Sequence, residues 1–204
     1  NTPEEDYQEC LFRLQGAIYE RELPPLKFKR INRSQVPYLR QHVGITGLGL
    51  PYMSEAIEKL HQLYAKFERI LGSEELNAWK ADHSYDYDGI TANNRYFTVG
   101  SNASGRQSVS FQQGVDPDNV LRRLLGDGVA HTEENAVLYM KATKSENSNW
   151  QYQDISPSDF SVGDIVEIQF TVMAVRQKEG NRKMIIVLKS LTLLDDSFSL
   201  VCDF

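Results

Sequence analysis

His131 and Glu133 stand two residues apart in the polar stretch Gly126-Asp-Gly-Val-Ala-His-Thr-Glu-Glu-Asn135. An imidazole beside a carboxylate can ligate a metal or pass a proton. The motif has no third ligand and no nucleophile. The same residues read equally as a turn at Asp127-Gly128 followed by a polar entry into a strand. Asp82, His83, Asp86 and Asp88 precede Gly89, like the opening of a calcium loop. Such a loop needs a bidentate glutamate at its twelfth position, and none occurs at that spacing. The alternative is a solvated linker between the two parts of the chain, with its tyrosines packing onto the barrel. Gly44, Gly47 and Gly49 fall at first, fourth and sixth positions. A dinucleotide loop needs first, third and sixth, so this is a turn or a helix entry. Gly-x-Ser-x-Gly is absent, and Cys10 and Cys202 carry no flanking signature. No catalytic residue, metal ligand or cofactor is therefore assigned.

A binding surface is the stronger alternative. Arg95 and Phe97 share one strand face, and Arg106 falls on the next predicted strand. Cations beside stacking rings are what single-stranded nucleic acids use. Arg176, Lys178, Arg182 and Lys183 surround Gly180-Asn181, a predicted hairpin tip. Such a tip can hold phosphate. It can equally be charged for solubility, and the aromatic rings can equally be core.

These residues need elements to carry them. Thr2-Pro3-Glu4-Glu5 reads as a capping box, and Tyr7, Leu11, Leu14 and Ile18 as one helical face. Ser54 opens a helix whose stripe runs through Ile57, Leu60, Leu63, Tyr64, Phe67, Ile70 and Leu71 and stops at Gly72. Ser73 begins a third, shorter helix through Trp79. Beyond residue 84 the pattern changes. Residues 95–100, 106–112 and 136–142 read as strands, with a short helix at 120–125 capped by Asp116. Residues 165–176 and 183–194 make one long antiparallel hairpin. Ser161-Val-Gly-Asp-Ile-Val-Glu-Ile-Gln-Phe170 resembles the Gly-Asp opening of small barrels of the OB and SH3 type. Phe198 to Cys202 adds a final short strand. The expected class is α+β. Helices of an N-terminal part, residues 1–84, pack beside a C-terminal antiparallel barrel or strongly curved sheet, residues 85–204.

Composition limits the function. The 204 residues are 41% apolar and 25% charged, with a net charge of −6. That excludes a generally basic nucleic-acid coat but not a local basic stripe. Residues 1–84 hold 11 basic and 12 acidic side chains, residues 85–204 hold 11 and 16. No apolar run reaches the roughly 20 residues of a membrane helix. Two cysteines without a framework point to a reducing compartment, nuclear or cytoplasmic.

The runs Gly126-Asp-Gly-Val-Ala-His-Thr, Gly163-Asp-Ile-Val-Glu-Ile-Gln-Phe and Leu188-Lys-Ser-Leu-Thr-Leu-Leu-Asp together resemble a multicopy protein family of mushroom-forming (basidiomycete) fungi. The resemblance covers the second half of the chain and transfers no catalytic residue. It implies a eukaryotic intracellular setting. Through the family's association with mobile elements, it implies a nuclear, DNA-associated role. The reading is a non-catalytic module that binds DNA through a small barrel. The alternatives are a protein-interaction scaffold and, third, a metal-dependent enzyme built on the His131 loop.

Overall fold

Alternation along Ile165–Arg176 sends Val166, Ile168 and Phe170 inward and leaves Glu167 and Gln169 half-exposed. That strand and its successor, Arg182–Asp195, form the expected hairpin. The computed structural model describes residues 9–27, 30–84, 86–126, 128–145, 149–177 and 180–198. Its strands are β1 (Phe12–Glu22), β2 (Arg40–Thr46), β3 (Leu76–Asn77), β4 (Asp82–Ser84), β5 (Tyr87–Arg95), β6 (Thr98–Val99), β7 (Val129–Ala130), β8 (Leu138–Lys144), β9 (Trp150–Asp154), β10 (Ile165–Arg176) and β11 (Arg182–Asp195). Among the described residues there is one α-helix, α1 (Pro51–Leu71).

Five strands close a barrel. β1 pairs antiparallel with β2 on one edge and β10 on the other, β2 with β5, and β10 with β11. β11 then meets β5 in parallel, Val187 opposite Asn93, and the circle is complete. Closure removes the open edges that a curved sheet would leave. The seam has one register pair, and the buried side chain of Asn94 reinforces it. Its amide donates to the carbonyls of Leu188 at 3.0 Å and Glu134 at 2.9 Å. The core holds Val43, Ile45, Ile90, Val166, Ile168, Leu188 and Leu191, all at most 1% exposed. Beyond the barrel, β8 extends from the C-terminal part of β11 and carries β9, while β4 flanks β5.

Several expected elements are corrected. The described part of the first predicted helix is β1. Phe12, Leu14 and Ile18 pack against the core while Arg13 and Gln15 are exposed, a period of two that coexists with the helical spacing. Pairing with both β2 and β10 decides between them. The capping box at residues 2–5 lies outside the described residues. The barrel thus draws strands from both sides of residue 84, and the expected helical part supplies two of the five. The third predicted helix, 73–79, is instead a turn followed by β3, held in parallel to β11 by Leu76, which is 4% exposed. Residues 106–112 form no strand. The side chain of Gln112 there imitates one, accepting from Tyr139 N–H at 2.9 Å and donating to its carbonyl at 2.9 Å. The helix expected at 120–125 is reduced to a 3-10 turn, Arg122–Leu124. Asp116 still caps it through the N–H groups of Leu121 and Arg122. Of the last predicted strand, 198–202, only Phe198 falls within the described residues.

Helix α1 lies between β2 and β5 in the chain. Met53, Ile57 and Leu60 are its buried residues, so only the N-terminal half of the expected stripe meets the core. Ile70 is 78% exposed.

Candidate nucleic-acid interface

Arg95 ends β5, and its side chain is exposed on the outer face of the barrel. Phe97 does not share that face. The strand breaks after Arg95, and both Tyr96 and Phe97 turn into the core, at 1% and 2% exposure. Phe97 packs edge-on against Phe111 with centroids 6.3 Å apart. It cannot stack on a base, because the core already uses its faces. Arg106 sits in a loop, and its guanidinium reaches Glu134 at 2.5 Å.

The hairpin tip is not a free loop. Arg182 donates through its backbone N–H to Glu75 O at 2.6 Å and through Nη1 to Glu75 Oε2 at 2.8 Å. Asn77 donates to the side chain of Gln177 and accepts from that of Asn181. Arg176 and Lys183 are exposed, flanking this clip. Lys178 lies outside the described residues. Arg95, Arg106 and the hairpin cations sit on three separate elements.

A different grouping lies across β2 and β5. Alternation turns Gln41, Val43 and Ile45 inward and Arg40, His42, Gly44 and Thr46 to the outer face. Arg40 is the register partner of Arg95. Its Nη1 donates to Asn93 Oδ1 at 3.4 Å. Partial burial, and then the charge of Arg95, hold its pKa below the usual arginine range. Two guanidinium groups directly opposite on paired strands repel each other.

Further along the same face, Tyr19 lies over two glycines. A Cβ at Gly44 would come within 2.5 Å of its ring, and one at Gly89 within 2.9 Å. The phenol is fixed by Thr91 Oγ1 at 3.1 Å. His42 sits between Glu20 at 3.2 Å and Glu22 at 3.6 Å, so the basic character is confined to the Arg40–Arg95 end.

The sequence leading from β1 into Arg40 is basic as well. Residues 23–40 contain Lys27, Lys29, Arg30, Arg33 and Arg40 and no acidic side chain. Tyr38 in this stretch is 52% exposed. The signal is in the sequence, but averaging charge over residues 1–84 cancels it against the acids near the N-terminus and on α1. A second feature, this one without a sequence signal, is β9. All five of its residues are exposed, including Trp150 and Tyr152 on one face, with Lys144 opposite Trp150.

The catalytic alternatives have their own geometry. His131 is 4% exposed, and its Nδ1 lies 2.8 Å from the carbonyl of Tyr96. Burial holds its pKa down, partly opposed by that hydrogen bond. Glu133 is exposed. His83 contacts Asp88 at 2.8 Å on the surface. Among the described residues, no three His, Cys, Asp or Glu side chains gather as a metal site would need. No helix among them is long and apolar enough to cross a membrane.

No protein-family model and no curated protein sequence matches the chain. Among solved structures it is similar to a single-stranded DNA binding protein encoded by bacteriophage T7. The match has 9% identity over 95% of this chain and 96% of that one, with a TM-score of 0.42.

Proposed function

We propose that this protein binds single-stranded nucleic acid, DNA in the first place, across the outer face of β2 and β5. The carrying observation is the acid-free stretch 23–40, which delivers Arg40 into register with Arg95. A like-charged cross-strand pair destabilises the free fold unless an anion lies over it. A phosphate backbone is such an anion, and binding it releases counterions. The barrel order supports the same reading. Numbered along the chain as barrel strands one to five, β1, β2, β5, β10 and β11 make a five-stranded Greek key of OB type. In that fold the face of strands two and three, with the loops joining one to two and four to five, contacts oligonucleotides. Here those connections are the segment joining β1 to β2 and the one joining β10 to β11. Net charge of −6 keeps non-specific attraction weak elsewhere.

The test is fluorescence anisotropy with a labelled oligothymidylate at two salt concentrations. The parent should bind more weakly at the higher salt. Arg40→Ala/Arg95→Ala should lower affinity at least tenfold at low salt. It should flatten the log–log salt slope by about 1.4, two single-strand phosphate contacts. Unchanged affinity and slope in the double variant would remove this face from the reading.

The second reading, a protein-docking module, has one observation in its favour. A groove of about 470 Å³ runs between β1, β10 and the start of α1, and exposed Leu48, Leu50 and Tyr52 line it. Binding there would be nearly independent of salt, which separates it from the first reading.

A further inference from the structure

Gln41 follows Arg40, and Tyr96 follows Arg95. Both turn away from the outer face and line a cleft of about 110 Å³, together with Ser110, Phe111, His131 and Leu138. The Tyr96 hydroxyl is fully buried and has no hydrogen-bond partner among the described residues. Its side chain is 1% exposed, and burial keeps the phenol protonated. A buried hydroxyl without a partner costs about 1–3 kcal/mol, so the free fold holds an unused donor and acceptor here.

Two other polar groups are half-used. Gln41 Oε1 accepts from the Tyr139 hydroxyl at 2.6 Å, which leaves the amide hydrogens of Gln41 as donors. His131 gives Nδ1–H to the Tyr96 carbonyl, so its Nε2 is an acceptor. The half-buried Phe111 ring lies against the imidazole, centroids 4.1 Å apart, and its remaining exposed part is an apolar stretch of the wall. Donors, an acceptor and a flat apolar wall in a cleft of this size match the edge and faces of one heterocyclic base. The cleft also begins one residue from each of the paired arginines.

We propose that this cleft takes a single nucleobase of the strand whose phosphates lie on Arg40 and Arg95, an assignment that rests on the nucleic-acid reading above. The base enters edge-first and meets the Gln41 amide, and a small rotation of the Tyr96 ring brings its hydroxyl, closed to solvent in the free fold, onto the edge of the base. The surrounding bases remain outside.

The test compares the parent with Tyr96→Phe, which removes one oxygen and no ring volume. Each is titrated with a labelled oligothymidylate and with an abasic oligomer of equal length, which keeps the phosphates but not the bases. Tyr96→Phe should bind the thymidylate strand about five- to tenfold more weakly and the abasic strand like the parent. Ser110→Trp, an exposed change at the cleft mouth, should show the same pattern and serves if Tyr96→Phe does not fold. Parent-like thymidylate binding by the variants, as expected if water alone fills the cleft, overturns the base assignment while leaving the outer face in place. An equal loss on both strands overturns it too. Failure of the parent to bind either strand overturns the nucleic-acid reading itself.

Discussion

His131 shows what a single buried residue costs. Its ring is enclosed by Phe111 and tied to the Tyr96 carbonyl, and burial depresses its pKa below the ordinary value near 6.5. Above pH 6.5 the folded and unfolded chains are both neutral at this position, so nothing is lost. As the pH falls through 6.5 the unfolded chain takes up a proton that the folded one refuses, and stability drops until folded His131 itself titrates. Melting temperatures between pH 7.5 and 5 should therefore fall more steeply for the parent than for His131→Asn. Parallel curves would show that the imidazole is not held neutral. Tyr19 and Gly44 make a second residue-scale pair. Gly44→Ala drives a Cβ into the Tyr19 ring and should cost about 1–3 kcal/mol. Tyr19→Ala in the same chain should recover part of that loss, because the two sites share one space. Gly89→Ala should not be rescued alike, since its Cβ would also lie 2.7 Å from the Ile45 carbonyl oxygen, which is backbone. Denaturant midpoints of the single and double variants decide both.

Helix α1 is amphipathic along its whole length but used over only half of it. Ile57 is buried and Ile70 is 78% exposed, although both belong to one predicted stripe. Ile57→Ala should cost about 2–5 kcal/mol and Ile70→Ala no more than about 0.5 kcal/mol. Equal costs would place the far end of α1 against an apolar surface. The same contrast explains what the sequence could reveal. The β10–β11 hairpin was legible nearly to the residue, because alternation, length and a Gly-Asn turn agree there. β1 was not, since Leu11, Leu14 and Ile18 satisfy a helical period while Phe12, Leu14 and Ile18 satisfy a strand. Only partners more than a hundred residues away choose between them. β3 escaped for the same reason, its two residues being held by β11. At the site, Arg95 was legible as an exposed cation. Its neighbour Phe97 was misassigned to the same face, because the inward turn at Tyr96 has no local signal. Arg40 was missed because its significance lies in a cross-strand register.

At the scale of the whole molecule, charge is segregated although its sum is acidic. Residues 23–40 carry five cations without an acid, and His42, two residues further on, is already bracketed by glutamates. On the proposed reading, that end of the β2–β5 face is where an anionic strand is drawn. The barrel's closure has a further consequence, for the order of synthesis. Phe12 pairs with Phe170, and the seam sets Asn93 against Val187. Nothing emerging before residue 165 can occupy the β10 side of β1, and nothing before β11 can close the seam. A chain stopped before β10 should therefore leave β1, β2 and β5 as an open sheet whose apolar face lacks its β10 and β11 cover, the condition in which chaperones engage nascent chains. Ribosome-stalled chains ending near residue 160 should therefore be cut by protease within residues 12–46. Chains stalled after residue 195 has cleared the exit tunnel should resist. Protection already present in the shorter chain would mean that the three early strands fold without the hairpin that completes them.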